Sequence, residues 1–171
     1  MQPPRPPIRL LPALVAFSLA VTGGPLAAWA EDAAPGKPGW AASCVSVARA
    51  AAPDCELTQR AVLSGSGQLV ASVTVRVPAD TRRPVVMIRL PLGLSLEGGV
   101  TIDVDGAGAR SLPLQTCDPS GCYAGAPLPA EFAAMMSAGK TLALVFSGLD
   151  KTPVRVALPL AGFASAFDAI K

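Results

Sequence analysis

Apolar and polar positions alternate along most of the chain. Leu69, Ala71, Val73, Val75 and Val77 are separated by Ser72, Thr74 and Arg76, a period of two that predicts a strand with one buried and one wet face. Leu92, Leu94 and Leu96 repeat the pattern, as do Val100, Ile102 and Val104, and the glycines Gly98-Gly99 between them predict a hairpin. Leu112, Leu114 and Thr116 alternate into Cys117, and Val154, Val156 and Leu158 form a late strand. Val85 to Ile88 is unbroken and apolar, as expected of a strand covered on both faces, and Leu142 to Phe146 reads the same way. Earlier, Trp40 to Val47 suits a first strand with Trp40 as a core anchor, and Cys55 to Thr58 begins its return. Ser64-Gly65-Ser66-Gly67, Asp80 to Arg83 and Asp105-Gly106 supply turn chemistry.

The period changes only near the end. Leu128, Phe132 and Met135-Met136 share a helical face, with Pro129 suited to the first turn and Gly139 to the stop. Phe163, Phe167 and Ile170 give a short amphipathic closing helix. Many short strands with turns between them predict a mainly β single domain, an antiparallel β-sandwich or barrel-like form with one or two short helices near the C-terminus.

The first 30 residues fall outside this pattern. Arg5 and Arg9 precede the apolar run Leu10 to Val21, and Ala28-Trp29-Ala30 is a small-x-small cleavage site. This predicts residues 1–30 as a signal peptide cut near Ala30, residues 31–39 as a flexible lead, and residues 40–171 as the folded domain. The alternative, a retained anchor, needs about 20 apolar residues, and Pro12 and Gly23-Gly24 interrupt the run. The expectation is therefore a periplasmic or secreted protein with no integral membrane span after cleavage. Because Arg5 and Arg9 leave with the leader, the remaining bases balance the 12 acidic residues. A scattered, neutral surface argues against nucleic acid as a partner.

Export also sets the reading of the 4 cysteines. An even count in an oxidising compartment implies two disulfides, and the local pairing is Cys44–Cys55 with Cys117–Cys122. A four-cysteine zinc site would show close C-x2-C pairs, which these spacings lack. The loop Cys117-Asp118-Pro119-Ser120-Gly121-Cys122 could be a redox pair, but such pairs open a helix with C-x-x-C. A structural bridge is the expectation, with Asp118, Pro119, Ser120, Gly121 and Tyr123 as a candidate binding loop.

The chain has no histidine and no asparagine, which removes the commonest general base and every Ser-His or Cys-His dyad. Asp103 and Asp105 are the one acid pair with a catalytic reading, as a glycosidase couple or cation site, against which stands a solvated strand face beside a turn. Ser64 to Gly67 does not match G-x-S-x-G, and Gly98-Gly99 lacks a phosphate-loop lysine. Arg82-Arg83 could meet an anion but reads first as a polar loop, and Met135-Met136 reads first as a core stripe. No catalytic, metal or cofactor residues emerge.

Taken in order, Trp40 with Cys44, Cys55, Leu90-Pro91-Leu92-Gly93-Leu94, Gly99-Val100, Ile102-Asp103, Asp105-Gly106, Gly121-Cys122 after Cys117, and Leu160 with Gly162-Phe163 resemble the invasion-associated locus B family of exported bacterial proteins. Tyr123 directly after Cys122 departs from that pattern. The resemblance implies a β-rich envelope protein linked to host-cell invasion and virulence in some pathogens; it does not imply an enzyme and carries over no catalytic residues. Its action would be binding to an unidentified protein or envelope component. The alternatives are a periplasmic carboxylate-based hydrolase and a thiol–disulfide exchange protein.

Overall fold

A computed structural model describes residues 39–46, 48–49 and 51–171. The predicted leader, its cleavage site and the lead up to residue 38 lie outside the described residues, as does Val47 at the end of the predicted first strand. The described residues form ten strands and two helices. In order they are β1 (Ala41–Val45), β2 (Asp54–Val62), β3 (Leu69–Val77), β4 (Val85–Leu90), β5 (Val100–Val104) and β6 (Ala107–Leu112), then β7 (Leu114–Asp118) and β8 (Gly121–Pro127). After them come α1 (Ala130–Ala138), β9 (Thr141–Ser147), β10 (Pro153–Pro159) and α2 (Phe163–Ile170). A six-stranded sheet has the order β1-β2-β3-β4-β8-β7, and a four-stranded sheet the order β10-β9-β5-β6. All pairings are antiparallel.

One core joins the two sheets. Leu57, Val73, Val75 and Ile88 from the larger sheet and Val100, Ile102, Leu142 and Leu144 from the smaller belong to a single buried cluster. β3 follows the predicted alternation, with Val73, Val75 and Val77 fully buried and Arg76 exposed. Both helices bury the faces read from their spacing. Phe132 and Met136 of α1, and Phe163, Phe167 and Ile170 of α2, lie inside. Full burial of a side chain such as Phe163 stabilises by about 3 kcal/mol. The Trp40 ring meets Phe163 edge-on with centroids 4.9 Å apart, and its indole Nε1 donates to the Pro159 carbonyl at 3.2 Å. The last helix thus closes against the start of the first strand, and Trp40 is the anchor between them.

The structure departs from the strand reading at three places. Val85 to Ile88 is covered on one face only. Val86, Ile88 and Leu90 point inward, while Met87 is 49% exposed on the outer face. The run Leu92 to Leu96 is a crossover between sheets rather than a strand. Gly93 takes φ +81°, Leu94 alone is buried and bridges Gly148, and Leu92 and Leu96 face solvent. β5 pairs instead with β6 and β9. The Leu112–Thr116 alternation spans two strands in different sheets, because Pro113 has no N–H for a ladder and the chain changes layer there.

The stretch after Cys122, which no alternation marks, continues as β8 between β4 and β7. Its Gly, Ala and Pro residues carry almost no hydrophobic alternation. The strand is specified by pairing on both sides and by the inward Cys122 and Ala124.

Candidate functional site

The candidate loop is the tip of the β7–β8 hairpin, at the edge of the larger sheet. Asp118 pairs with Gly121 across the two residues Pro119 and Ser120, and Cys117 lies directly opposite Cys122. Those cysteines form a disulfide, as do Cys44 and Cys55, also direct cross-strand partners. No described cysteine is free.

Several further bonds hold the tip. Asp118 Oδ1 accepts from the Ser120 backbone N–H at 2.7 Å and from the Tyr123 hydroxyl at 3.4 Å. From β4, Arg89 Nε donates to the Ser120 carbonyl at 3.0 Å. Gly121 stands at φ +148°, and a Cβ there would meet the Leu90 carbonyl oxygen at 2.3 Å, so the turn enters β8 only through glycine. Asp118, Pro119 and Ser120 are exposed, Gly121 is buried and Tyr123 half-buried. A cleft of about 320 Å³ separates Pro119 and Ser120 from Pro91 and Leu92, with Arg89 on its wall. The loop is therefore a displayed turn with its backbone fixed from three directions, and Leu92 gives it an apolar neighbour.

Asp103 and Asp105 are neither an open acid couple nor a solvated strand face. Asp103 is buried, with 6% of its surface exposed, and takes a two-pronged ion pair from Arg155 at 3.1 Å on each oxygen. Its Oδ1 also accepts from the Gly106 N–H at 2.8 Å. Asp105, at φ +52° in the β5–β6 turn, accepts from the Lys140 and Thr141 N–H groups at 2.9 Å each. Every oxygen of both carboxylates is engaged, and together they fasten the β5–β6 hairpin to β9 and β10. The expected alternation failed here because a buried acid with a charged partner is indistinguishable in sequence from an exposed one.

Other candidates separate. Met136 is buried and Met135 lies against Gly108, so the pair belongs to the core and its margin. Arg82 and Arg83 sit in the exposed loop before β4, Arg82 at φ +53°. Among the described residues no His, Cys, Asp and Glu side chains cluster as metal ligands, and no helix is long and apolar enough to cross a membrane.

Sequence reading missed the outer face of the six-stranded sheet. Arg60 lies opposite Ser72, Ser72 opposite Arg89, and Arg89 opposite Tyr123, so these side chains form one row across four strands. One position further along, Thr58 and Thr74 share a 3.0 Å hydrogen bond. Alternation marks each residue as outward; only the register brings them together.

Fold and site define a disulfide-stapled, two-sheet β-sandwich that displays a braced hairpin at one sheet edge. The family model for invasion associated locus B protein matches residues 40–171, and the chain belongs to that family. Invasion protein B homologs from two strains of Brucella abortus are each 29% identical over 133 residues, covering 77% of this chain and 75% of the relative. The crystal structure of invasion associated protein B from Bartonella henselae has the same fold, with a TM-score of 0.66 at 22% identity over 79% of this chain and 92% of that one.

Proposed function

We propose that the chain is an exported, non-catalytic envelope protein, cleaved near Ala30, that acts by binding a protein or envelope component through the β7–β8 tip. In a pathogenic bacterium that binding serves host-cell invasion. The observation that carries this reading is the braced tip. Asp118, Pro119 and Ser120 are presented to solvent while a disulfide and the Arg89 guanidinium hold the backbone and the Tyr123 hydroxyl holds the Asp118 carboxylate. Such a turn loses little conformational entropy when it docks, which favours recognition. The disulfides suit an oxidising compartment, and the named relatives are invasion proteins rather than enzymes.

The test replaces Pro119 by a photo-crosslinking residue, with a second probe at Arg83 in a loop of a different part of the sheet. Cells making each variant are irradiated and the envelope fraction is examined for adducts. A discrete adduct from position 119 and none from position 83 is expected. Equal labelling from both, or none from 119, sinks the reading. N-terminal sequencing of the exported chain should begin at Glu31.

A further inference from the structure

We propose that the row Arg60, Ser72 and Arg89 on the outer face of the six-stranded sheet, bordered by Tyr123, is an oxyanion site that takes a phosphate group. The proposal rests on the binding reading above and names the ligand chemistry beside the same hairpin.

A cleft of about 200 Å³ opens on this face, and all four side chains line it. Arg60 on β2 and Arg89 on β4 flank Ser72 on β3, each one strand away in register. Two strand spacings separate their backbones by about 10 Å, a gap that two guanidinium groups can close over the hydroxyl between them. Neither arginine forms a salt bridge among the described residues. Arg76, by contrast, is held by Asp54 at 2.8 Å. Arg89 spends its Nε on the Ser120 carbonyl, which orients the guanidinium and leaves its terminal nitrogens to a ligand.

Donors placed on both sides of the cleft and on its floor suit a tetrahedral oxyanion with several acceptor oxygens better than one planar carboxylate. Glu56 also lines the cleft, beyond the Thr58–Thr74 pair, where it stands opposite Arg76. It confines the anion to the Arg60–Arg89 end. Arg89 connects this site to the displayed turn, so a bound phosphate would sit within one side chain of Ser120.

The test titrates the oxidised chain with inorganic phosphate and follows backbone amide shifts of Arg60, Ser72, Arg89 and Tyr123 at constant ionic strength. Saturable shifts confined to this row are expected, weakened about tenfold by Arg60→Ala, since a hydrogen bond to a charged group carries that order of discrimination. Arg83→Ala should leave them unchanged. Co-sedimentation with phosphatidylglycerol vesicles against phosphatidylcholine vesicles identifies the source. Arg60-dependent pelleting with the anionic vesicles alone points to a lipid headgroup, and phosphate shifts without pelleting point to a soluble or saccharide-borne phosphate. Shifts that are unsaturable, scattered, or identical in Arg60→Ala, together with no Arg60-dependent pelleting, overturn the site. If position 119 still crosslinks a partner in that case, the oxyanion assignment falls and the binding reading stands; loss of both removes both.

Discussion

The two stapled hairpins lie at opposite edges of the same sheet, and each joins an exposed edge cysteine to a buried inner one. They are built for different tasks. Cys44–Cys55 closes a separation of 11 residues and ties down β1, every residue of which is exposed. Apart from the β2 ladder, that edge is held mainly by Trp40 on Phe163. Cys117–Cys122 closes only 5 residues, at a tip already gripped by Arg89, Tyr123 and a glycine-dependent turn. The first staple attaches a strand. The second stiffens a surface that is attached by other means.

The largest expected effect tests whether the second tip is shaped by its backbone more than by its disulfide. Gly121→Ala should cost on the order of 3–4 kcal/mol, combining an unfavourable φ with a collision against the Leu90 carbonyl. Urea unfolding measures it, and a loss below that of the adjacent disulfide would reverse the ranking. Next, Cys44→Ser with Cys55→Ser should lower stability by about 3 kcal/mol, and Cys117→Ser with Cys122→Ser by about 2 kcal/mol, following loop length. Hydrogen exchange separates their roles. Losing the first staple should release protection across β1, whereas losing the second should leave β8 protected because β4 still pairs with it.

The contrast also explains what the sequence disclosed. The first hairpin was legible because Cys44, Cys55 and the pattern around Trp40 mark it locally. Its return strand was traced only to Thr58, since Gln59, at an inward position and 2% exposed, breaks the alternation. The second hairpin was half legible. Its disulfide follows from the local spacing of Cys117 and Cys122 and its turn from Pro119 and Gly121, but β8 is written in glycine and alanine and is specified by its neighbours. The sheet change at Pro113 and the crossover at Leu92 depend on which layer buries which strand, a tertiary fact that period-two patterning does not encode. The Arg60–Ser72–Arg89 row was illegible for the same reason, because it exists only through register. Asp103 and Asp105 read first as a solvated strand face, and their charges turned out to be internal ties.

The smallest effect separates the hairpins by pH. In the first, Asp54 begins β2 beside Cys55 and accepts from the Ala79 N–H at 2.7 Å and from Arg76 at 2.8 Å. The Ala79 bond, then the Arg76 bond, holds its carboxyl below the ordinary value. A carboxyl depressed in the folded state stabilises fully above its unfolded pKa, near 4 as an order-of-magnitude reference, and that contribution is lost as pH falls through the folded value. Asp54→Asn should therefore be less stable than the parent at neutral pH and converge on it as the solution is acidified below about pH 4. Asp150, also depressed, through its bonds from Thr152, is present in both proteins and cancels in the difference. The Cys117→Ser, Cys122→Ser variant should keep its deficit unchanged over the same range, since a disulfide does not titrate. Urea midpoints at pH 7 and pH 3 decide the matter. A constant Asp54→Asn deficit would mean that Asp54 holds the β2–β3 corner through geometry alone, and the first hairpin would then be as indifferent to acid as the second.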